Sequence, residues 1–396
     1  MQDFIVRLAT PAHEMAQEEI LKQASFLSKD IEAVRFAADG LEIVFRAPAE
    51  RGAELAASLE TLARTVQRTL RSLQRKIVFR SPAMDEPRFA EPFDLSEVHF
   101  LGTGQAAMAG APLALFRYFD RVFEEFGTRW DAQPMITPTL IPSRVLAKCD
   151  YFRSFPQYVT FAAHLKEDVG VIDAFRNRHQ AIDELDDNTL ADMDRPQACL
   201  SPAVCYHVYH WYQGETIPRS GVVHGVCGKC FRYESKNIVD LRRLWDFTLR
   251  EVVFLGERDQ VLRQREQSME MVADFLTEHR LAGEIRTASD PFFIAPDAAN
   301  KTYFQLSSDA KFEVSLALPE GERLAVGSHN YHSDFFGRVF RVELESGGPM
   351  HSMCVGFGLE RWVYAFMRQH GSEPARWPDV VRRAPELSRM SRAAVS

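Results

Sequence analysis

The chain has 396 residues, 46% of them hydrophobic and 26% charged, the profile of an ordinary globular protein long enough for two domains. No apolar run reaches bilayer length, and Met1-Gln2-Asp3 lacks the basic segment and apolar stretch of a signal peptide, so no membrane role is expected. Six cysteines are too sparse for a disulfide scaffold and fit a cytoplasmic protein with free or metal-bound thiols. The net charge of −8, without a basic stripe, argues against a protein built to grip nucleic acid.

Residues 1–80 read as a small α+β unit. Phe4-Ile5-Val6-Arg7-Leu8 is a short strand, and Pro11 opens an amphipathic helix to about residue 27. Strands at 31–36 and 41–45 flank Asp39-Gly40, a strong hairpin signal. A long helix over 49–73 and a strand at 76–80 complete the order β-α-β-β-α-β of a ferredoxin-like domain. The Pro-rich stretch 81–93 is the expected linker.

Residues 94–387 form the second unit. Helices are expected over 107–126, 259–279 and 358–369. Strands are expected over 134–142, 205–211, 229–233, 247–254, 304–318 and 338–345, with a polar insertion at 160–193. Antiparallel strands with helices segregated around them imply an α+β domain rather than a doubly wound one. The tail 388–396 is expected to fray.

Two stretches carry the chemistry. In Cys230-Phe231-Arg232-Tyr233-Glu234, Arg232 and Glu234 alternate on one strand face and offer a cation and a carboxylate together. In Gly356-Phe357-Gly358-Leu359-Glu360-Arg361, glycines permit close backbone approach to a ligand, and Arg361 opens an apolar helix. Together these resemble motifs 2 and 3 of the class II aminoacyl-tRNA synthetases. The resemblance implies that Arg232 binds the α-phosphate and the substrate carboxylate, and that Glu234 accepts from the adenine amino group. Phe247, on the return strand after Arg242-Arg243, would stack on adenine, with Arg361 on the ring's other face.

The thiols narrow the resemblance. Cys205 and Glu251 stand where threonyl and archaeal-type seryl enzymes carry zinc ligands, and Cys354 precedes the motif 3 glycines. These three residues would hold Zn²⁺ with one tetrahedral position left for an α-amino group. A rival pairing, Cys227 with Cys230, has zinc-knuckle spacing but only Cys199 and Cys205 nearby to complete it. Cys230 reads better as a small buried hydrophobe.

The segments Leu140-Ile141-Pro142-Ser143-Arg144, Tyr151-Phe152-Arg153-Ser154-Phe155-Pro156 and Ser328-His329-Asn330-Tyr331-His332 resemble the amino acid:carrier-protein ligases. These are truncated seryl-synthetase homologues, and the likeness covers about residues 94–383. It implies a homodimer built around 134–156 that activates a small amino acid, glycine or alanine, with ATP and Mg²⁺. The aminoacyl group would pass to the phosphopantetheine thiol of an acyl or peptidyl carrier protein. Ser328 and Asn330 are pocket candidates, and the lack of a tRNA-binding coiled-coil arm argues against tRNA. Ala325 stands where a magnesium-binding Glu is usual, which leaves Glu343 and Glu345 as unseparated candidates. His329, His332 and His351 are expected to be structural. The alternatives are a zinc-dependent seryl-tRNA synthetase-like enzyme and a non-catalytic sensor of amino acid or adenylate.

Overall fold

The computed structural model describes residues 1–70, 75–91, 93–179, 185, 188–290, 301–302, 305–306 and 308–387. At the N-terminus, β1 (Gln2–Arg7), β2 (Val34–Phe36) and β3 (Glu42–Ala47) form an antiparallel sheet in the order β1-β3-β2. Gly40 turns the β2–β3 hairpin at φ +68, the left-handed backbone that the Asp39-Gly40 pair predicts. Helices α1 (Glu14–Ala24) and α2 (Gly52–Leu70) pack on this sheet through Ile20, Phe45, Leu59 and their neighbours. The expected continuation of α2 to residue 73 lies outside the described residues.

The sixth element of this unit goes elsewhere. Strand β4 (Ile77–Arg80) leaves the small sheet and pairs with Gly283–Thr287 in the second unit. The small sheet therefore has three strands, not the four of a ferredoxin-like domain, and residues 77–80, expected in the first unit, belong to the large sheet. The stretch after β4 is docked rather than a free linker. The Ser81 amide donates to the Gly283 carbonyl at 2.9 Å, its hydroxyl to Leu281 O at 2.6 Å, and the Ala90 amide to Arg368 O.

The large sheet adds β5 (Gln133–Met135), β6 (Val222–Phe231), β7 (Asp246–Gly256), β8 (Gly283–Thr287), β9 (Lys311–Ala317), β10 (Arg323–Tyr331) and β11 (His351–Gly358). Its order is β4-β8-β9-β10-β11-β7-β6-β5, and every neighbouring pair is antiparallel except β6 with β5. Helices α3 (Gly110–Thr128), α5 (Arg258–Glu278) and α6 (Leu359–His370) supply much of the core on one face; α4 (Cys205–Trp211) packs on the other.

Successive strand residues point to opposite faces, and that alternation divides core from site. Met353, Val355 and Phe357 of β11, with Val252 and Phe254 of β7, enter an aromatic core under α3, α5 and α6. Phe123 stacks on Phe357 there, with ring centroids 4.0 Å apart, and Trp362 is fully buried beside them. Cys354, Val253 and Leu255 enter a second apolar cluster on the opposite face.

Two expected strands are helices. In 205–211 the buried residues are Cys205, Val208 and Tyr209, the i, i+3, i+4 spacing of a helical face, so the aromatic-rich composition misleads. Arg338 lies in the short helix Phe335–Phe340, where its guanidinium pairs with Asp334 one turn earlier; only Glu343–Leu344 remains a strand. No helix among the described residues is long and apolar enough to cross a membrane.

Phe123→Ala should cost about 3–5 kcal/mol, because its ring meets Phe119, Phe126, Phe275, Phe357 and Trp362 in a close-packed interior. Chemical denaturation measures this, and a loss below about 1 kcal/mol would show that the cluster is not the core of the sheet.

Candidate active site

The open face of the large sheet forms the floor of a cavity of about 1400 Å³. Phe247, Leu249 and Glu251, each two residues apart on β7, all line it, as do Ser328 and Asn330 on β10 and Cys354, Gly356 and Gly358 on β11. Register places Ser328 opposite Gly356, and Gly356 opposite Glu251. A Cβ on Gly356 would stand 3.4 Å from Glu251 Cγ and 3.8 Å from its Oε1. The glycine therefore keeps open the floor between Ser328 and Glu251.

Cys205, Glu251 and Cys354 meet at one end of this cavity. Their donor atoms lie within 4.8 Å of one another and all three residues are buried. Cys205 comes from the start of α4, Glu251 from the middle of β7, and Cys354 from β11 beside Val253. Glu251 Oε2 is buried without a hydrogen-bond partner among the described residues. Burial, and then the Cys354 sulfur, raises the Glu251 carboxyl well above the usual carboxylate range. The Cys354 thiol is held well below the usual thiol range, first by the hydrogen bond from Cys205, while the Cys205 thiol is raised. Asn330 Nδ2 reaches Cys354 Sγ at 3.6 Å, and His332 Nε2 stands 4.0 Å from it. Two sulfurs and one orphaned carboxylate oxygen form a donor set suited to zinc, with room for a fourth ligand.

A group of guanidiniums lines the same cavity. Arg232 gives its Nε to the Pro202 carbonyl at 3.0 Å and lies 5.4 Å from the Phe247 ring centroid. Its two terminal nitrogens have no protein hydrogen bond among the described residues. Arg361, in the first turn of α6, donates to Arg242 O at 2.7 Å and to Ala325 O at 3.0 Å. Burial, and then the neighbouring Arg243, pushes Arg361 down to about 10. Arg243 in turn pairs with Glu234, which is buried. Such closely held cations suit a polyphosphate.

Thus all nine residues singled out from the sequence, Cys205, Arg232, Glu234, Phe247, Glu251, Ser328, Asn330, Cys354 and Arg361, line one cavity. Strand β6 ends at Phe231, however, so Arg232 and Glu234 sit in the connection after the strand rather than on its face. Glu343 and Glu345 do not line the cavity. Glu343 is exposed, and Glu345 accepts from the Arg219 amide at 3.2 Å. Cys227 and Cys230 pack on opposite faces of the sheet and cannot share an ion. His329 is buried against Ser268 Oγ at 2.8 Å, with burial pushing it down to about 3, and His351 bonds Tyr331 OH at 2.7 Å. His332 lines the cavity beside Cys354.

Sequence reasoning missed several lining residues. Arg243 was only a marker for the position of Phe247. Lys311 Nζ bonds Asp290 at 2.6 Å and Glu313 at 3.2 Å, with all three in the wall. Helix α1 closes one side with Glu18 and Lys22, and Ser25 and Phe26 follow it. Asn237 Nδ2 donates to Ser25 Oγ at 2.7 Å, and Phe26 packs edge-on to Tyr158 at 5.7 Å. Nothing in a strand or helix period announces that packing between units.

No protein-family model matches the chain. The type-2 serine–tRNA ligase of Methanopyrus kandleri is 27% identical over 71% of this chain and 56% of its own length. The chain thus spans little more than half of that curated relative. Two amino acid–acyl-carrier-protein ligases of Bradyrhizobium diazoefficiens match more of their own length. Ligase 2 is 28% identical over 81% of this chain and 95% of the relative; ligase 1 is 31% identical over 62% and 74%. A crystal structure of M. kandleri seryl-tRNA synthetase in complex with A. aeolicus tRNASec superposes with a TM-score of 0.68 at 22% identity, covering 99% of this chain and 77% of that one. A Cryptosporidium parvum prolyl-tRNA synthetase gives 0.52 at 12% identity, over 69% of this chain and 50% of that one. The fold is that of the class II aminoacyl-tRNA synthetases, and the chain belongs to the amino acid–acyl-carrier-protein ligase family.

Proposed function

We propose that the protein activates a small amino acid, glycine or alanine, with ATP and passes it to the phosphopantetheine thiol of a carrier protein. One observation carries this reading: the Cys205–Glu251–Cys354 cluster and the Arg232–Arg243–Arg361 group line a single cavity. Zn²⁺ held by Cys205, Glu251 and Cys354 would supply a Lewis-acidic position for the α-amino group. The substrate carboxylate then lies toward Arg232. One carboxylate oxygen attacks the α-phosphorus of ATP, the bond to the β-phosphate oxygen breaks, and pyrophosphate leaves. Arg232 and Arg361 offset the charge on the transferring phosphoryl group, and Phe247 and Glu234 hold the adenine. In the second step the thiol sulfur attacks the acyl carbon, AMP departs, and the thiol proton goes to the leaving phosphate. Mg²⁺ would accompany ATP, although no residue here is assigned to it.

A carrier protein is favoured over tRNA as acceptor by the acidic balance of the chain and by the carrier-protein ligases among its relatives. The six free cysteines fit a reducing, cytoplasmic compartment. A homodimer is supported by the edge strand β5 and by the exposed apolar side chains Ile136, Leu140 and Phe161, which are 93%, 47% and 58% exposed.

Three measurements test this reading. Amino-acid-dependent ATP–pyrophosphate exchange should occur with one small amino acid, and transfer should follow to a pantetheinylated carrier rather than to tRNA. Exchange with none of the twenty amino acids would leave the sensor alternative. Cys205→Ala and Cys354→Ala should each lose the bound zinc and the exchange activity while keeping the circular dichroism spectrum of the fold; full exchange by metal-free protein would remove the metal from the reading. Arg232→Ala should raise the activation barrier by about 2–4 kcal/mol, and near-normal exchange in that variant would show that the phosphate does not bind there.

A further inference from the structure

Tyr151 carries a hydroxyl with no hydrogen-bond partner among the described residues. It opens the short helix Tyr151–Ser154 directly after Asp150, whose backbone is left-handed at φ +56. That turn is pinned, because Asp150 Oδ2 accepts from Ser154 Oγ at 2.8 Å and from Lys301 Nζ at 2.9 Å. The Tyr151 ring packs on Phe155 at 5.3 Å and edge-on to Tyr206 at 6.0 Å, the residue that follows Cys205. The ring is therefore held in the cavity wall near Arg232, and it remains 4% exposed.

Four tyrosines beside the two apolar clusters pair their hydroxyls with histidines. Tyr118 bonds His279 at 2.6 Å, Tyr209 bonds His332 at 3.3 Å, Tyr212 bonds His224 at 2.7 Å and Tyr331 bonds His351 at 2.7 Å. The Tyr151 hydroxyl is buried with no hydrogen-bond partner among the described residues. Burial raises it well above the usual phenol range, with the Arg232 guanidinium acting against that rise. It is thus a neutral O–H donor, rigidly held, close enough to Arg232 to feel its charge. A buried polar group is ordinarily completed by protein, ordered water or ligand, and this one belongs to a residue that lines the cavity.

We propose that the Tyr151 hydroxyl donates to the acyl oxygen of the bound amino acid and of its adenylate, opposite the terminal nitrogens of Arg232. This assignment rests on the activation reading above. During activation one carboxylate oxygen attacks phosphorus while the other becomes the acyl carbonyl. A neutral donor on the second oxygen selects which one attacks, and it draws less electron density from the nucleophile than a cation would. When the thiol attacks, the same carbonyl oxygen gathers negative charge, and the donor is already in place.

The test is Tyr151→Phe, which keeps the ring and its packing. The free variant should melt at or above the wild-type temperature, since an unsatisfied buried polar group has been removed. Its kcat/KM for the amino acid in pyrophosphate exchange should fall about tenfold or more, with the KM for ATP changed less than about twofold. Binding of the sulfamoyl-adenosine analogue of the same amino acid should weaken by a similar factor. Wild-type exchange and analogue binding in the variant would overturn the assignment, as would a drop in melting temperature that accounts for the lost activity. Absence of exchange in the wild-type protein would overturn the activation reading, and this assignment with it.

Discussion

The alternation of side chains along β11 is the constraint on which the rest of the structure depends. Met353, Val355 and Phe357 tie this strand into the aromatic core, and the residues between them, Cys354 and Gly356, are thereby turned toward the cavity. The stacking of Phe123 on Phe357 holds the register as well as contributing packing energy. A slip of one residue would send the thiol into the core and a phenyl ring into the site. Because β11 is flanked by β10 and β7, the same register brings Asn330 beside Cys354 and Glu251 beside Gly356. Donors far apart in sequence thus become neighbours through one set of ladder hydrogen bonds.

The cavity divides its chemistry between two ends. At one end the two sulfurs and the Glu251 carboxylate present soft and hard donors together, with Asn330 and His332 beside Cys354. At the other, Arg243 and Arg361 crowd together while Glu234 partly offsets them. Arg232 lies near Tyr151 and the Phe247 ring. A ligand with an amine at one end and a phosphate at the other matches this polarity, as an aminoacyl-adenylate does.

Much of the site was legible because its residues sit in local patterns that carry their own reasons. Arg232 and Glu234 follow an apolar strand, the glycines at 356 and 358 precede an apolar helix, and Cys205 and Cys354 are thiols in a chain with few of them. The less legible parts have physical causes. Strands β8 and β11 are buried on both faces, so they lack the polar alternation that marks a half-exposed strand. The 205–211 segment is rich in aromatic residues, which favour strands on average, yet its buried positions fall on a helical face. Helix α1 shows an ordinary amphipathic pattern, and nothing in that pattern says that its end would wall a cavity formed by a sheet far along the chain. The hydroxyl of Tyr151 is visible only once its neighbours are known to leave it unpaired.

The depressed pKa of Arg361 has a consequence for the stability of the whole chain. Burial and Arg243 push the guanidinium down to about 10, so it keeps its charge at neutral pH and the fold holds a desolvated cation there at a cost. An anion that met this cation in the native state alone would relieve that cost and stabilise the fold. Folding and anion binding at this cation are then linked equilibria.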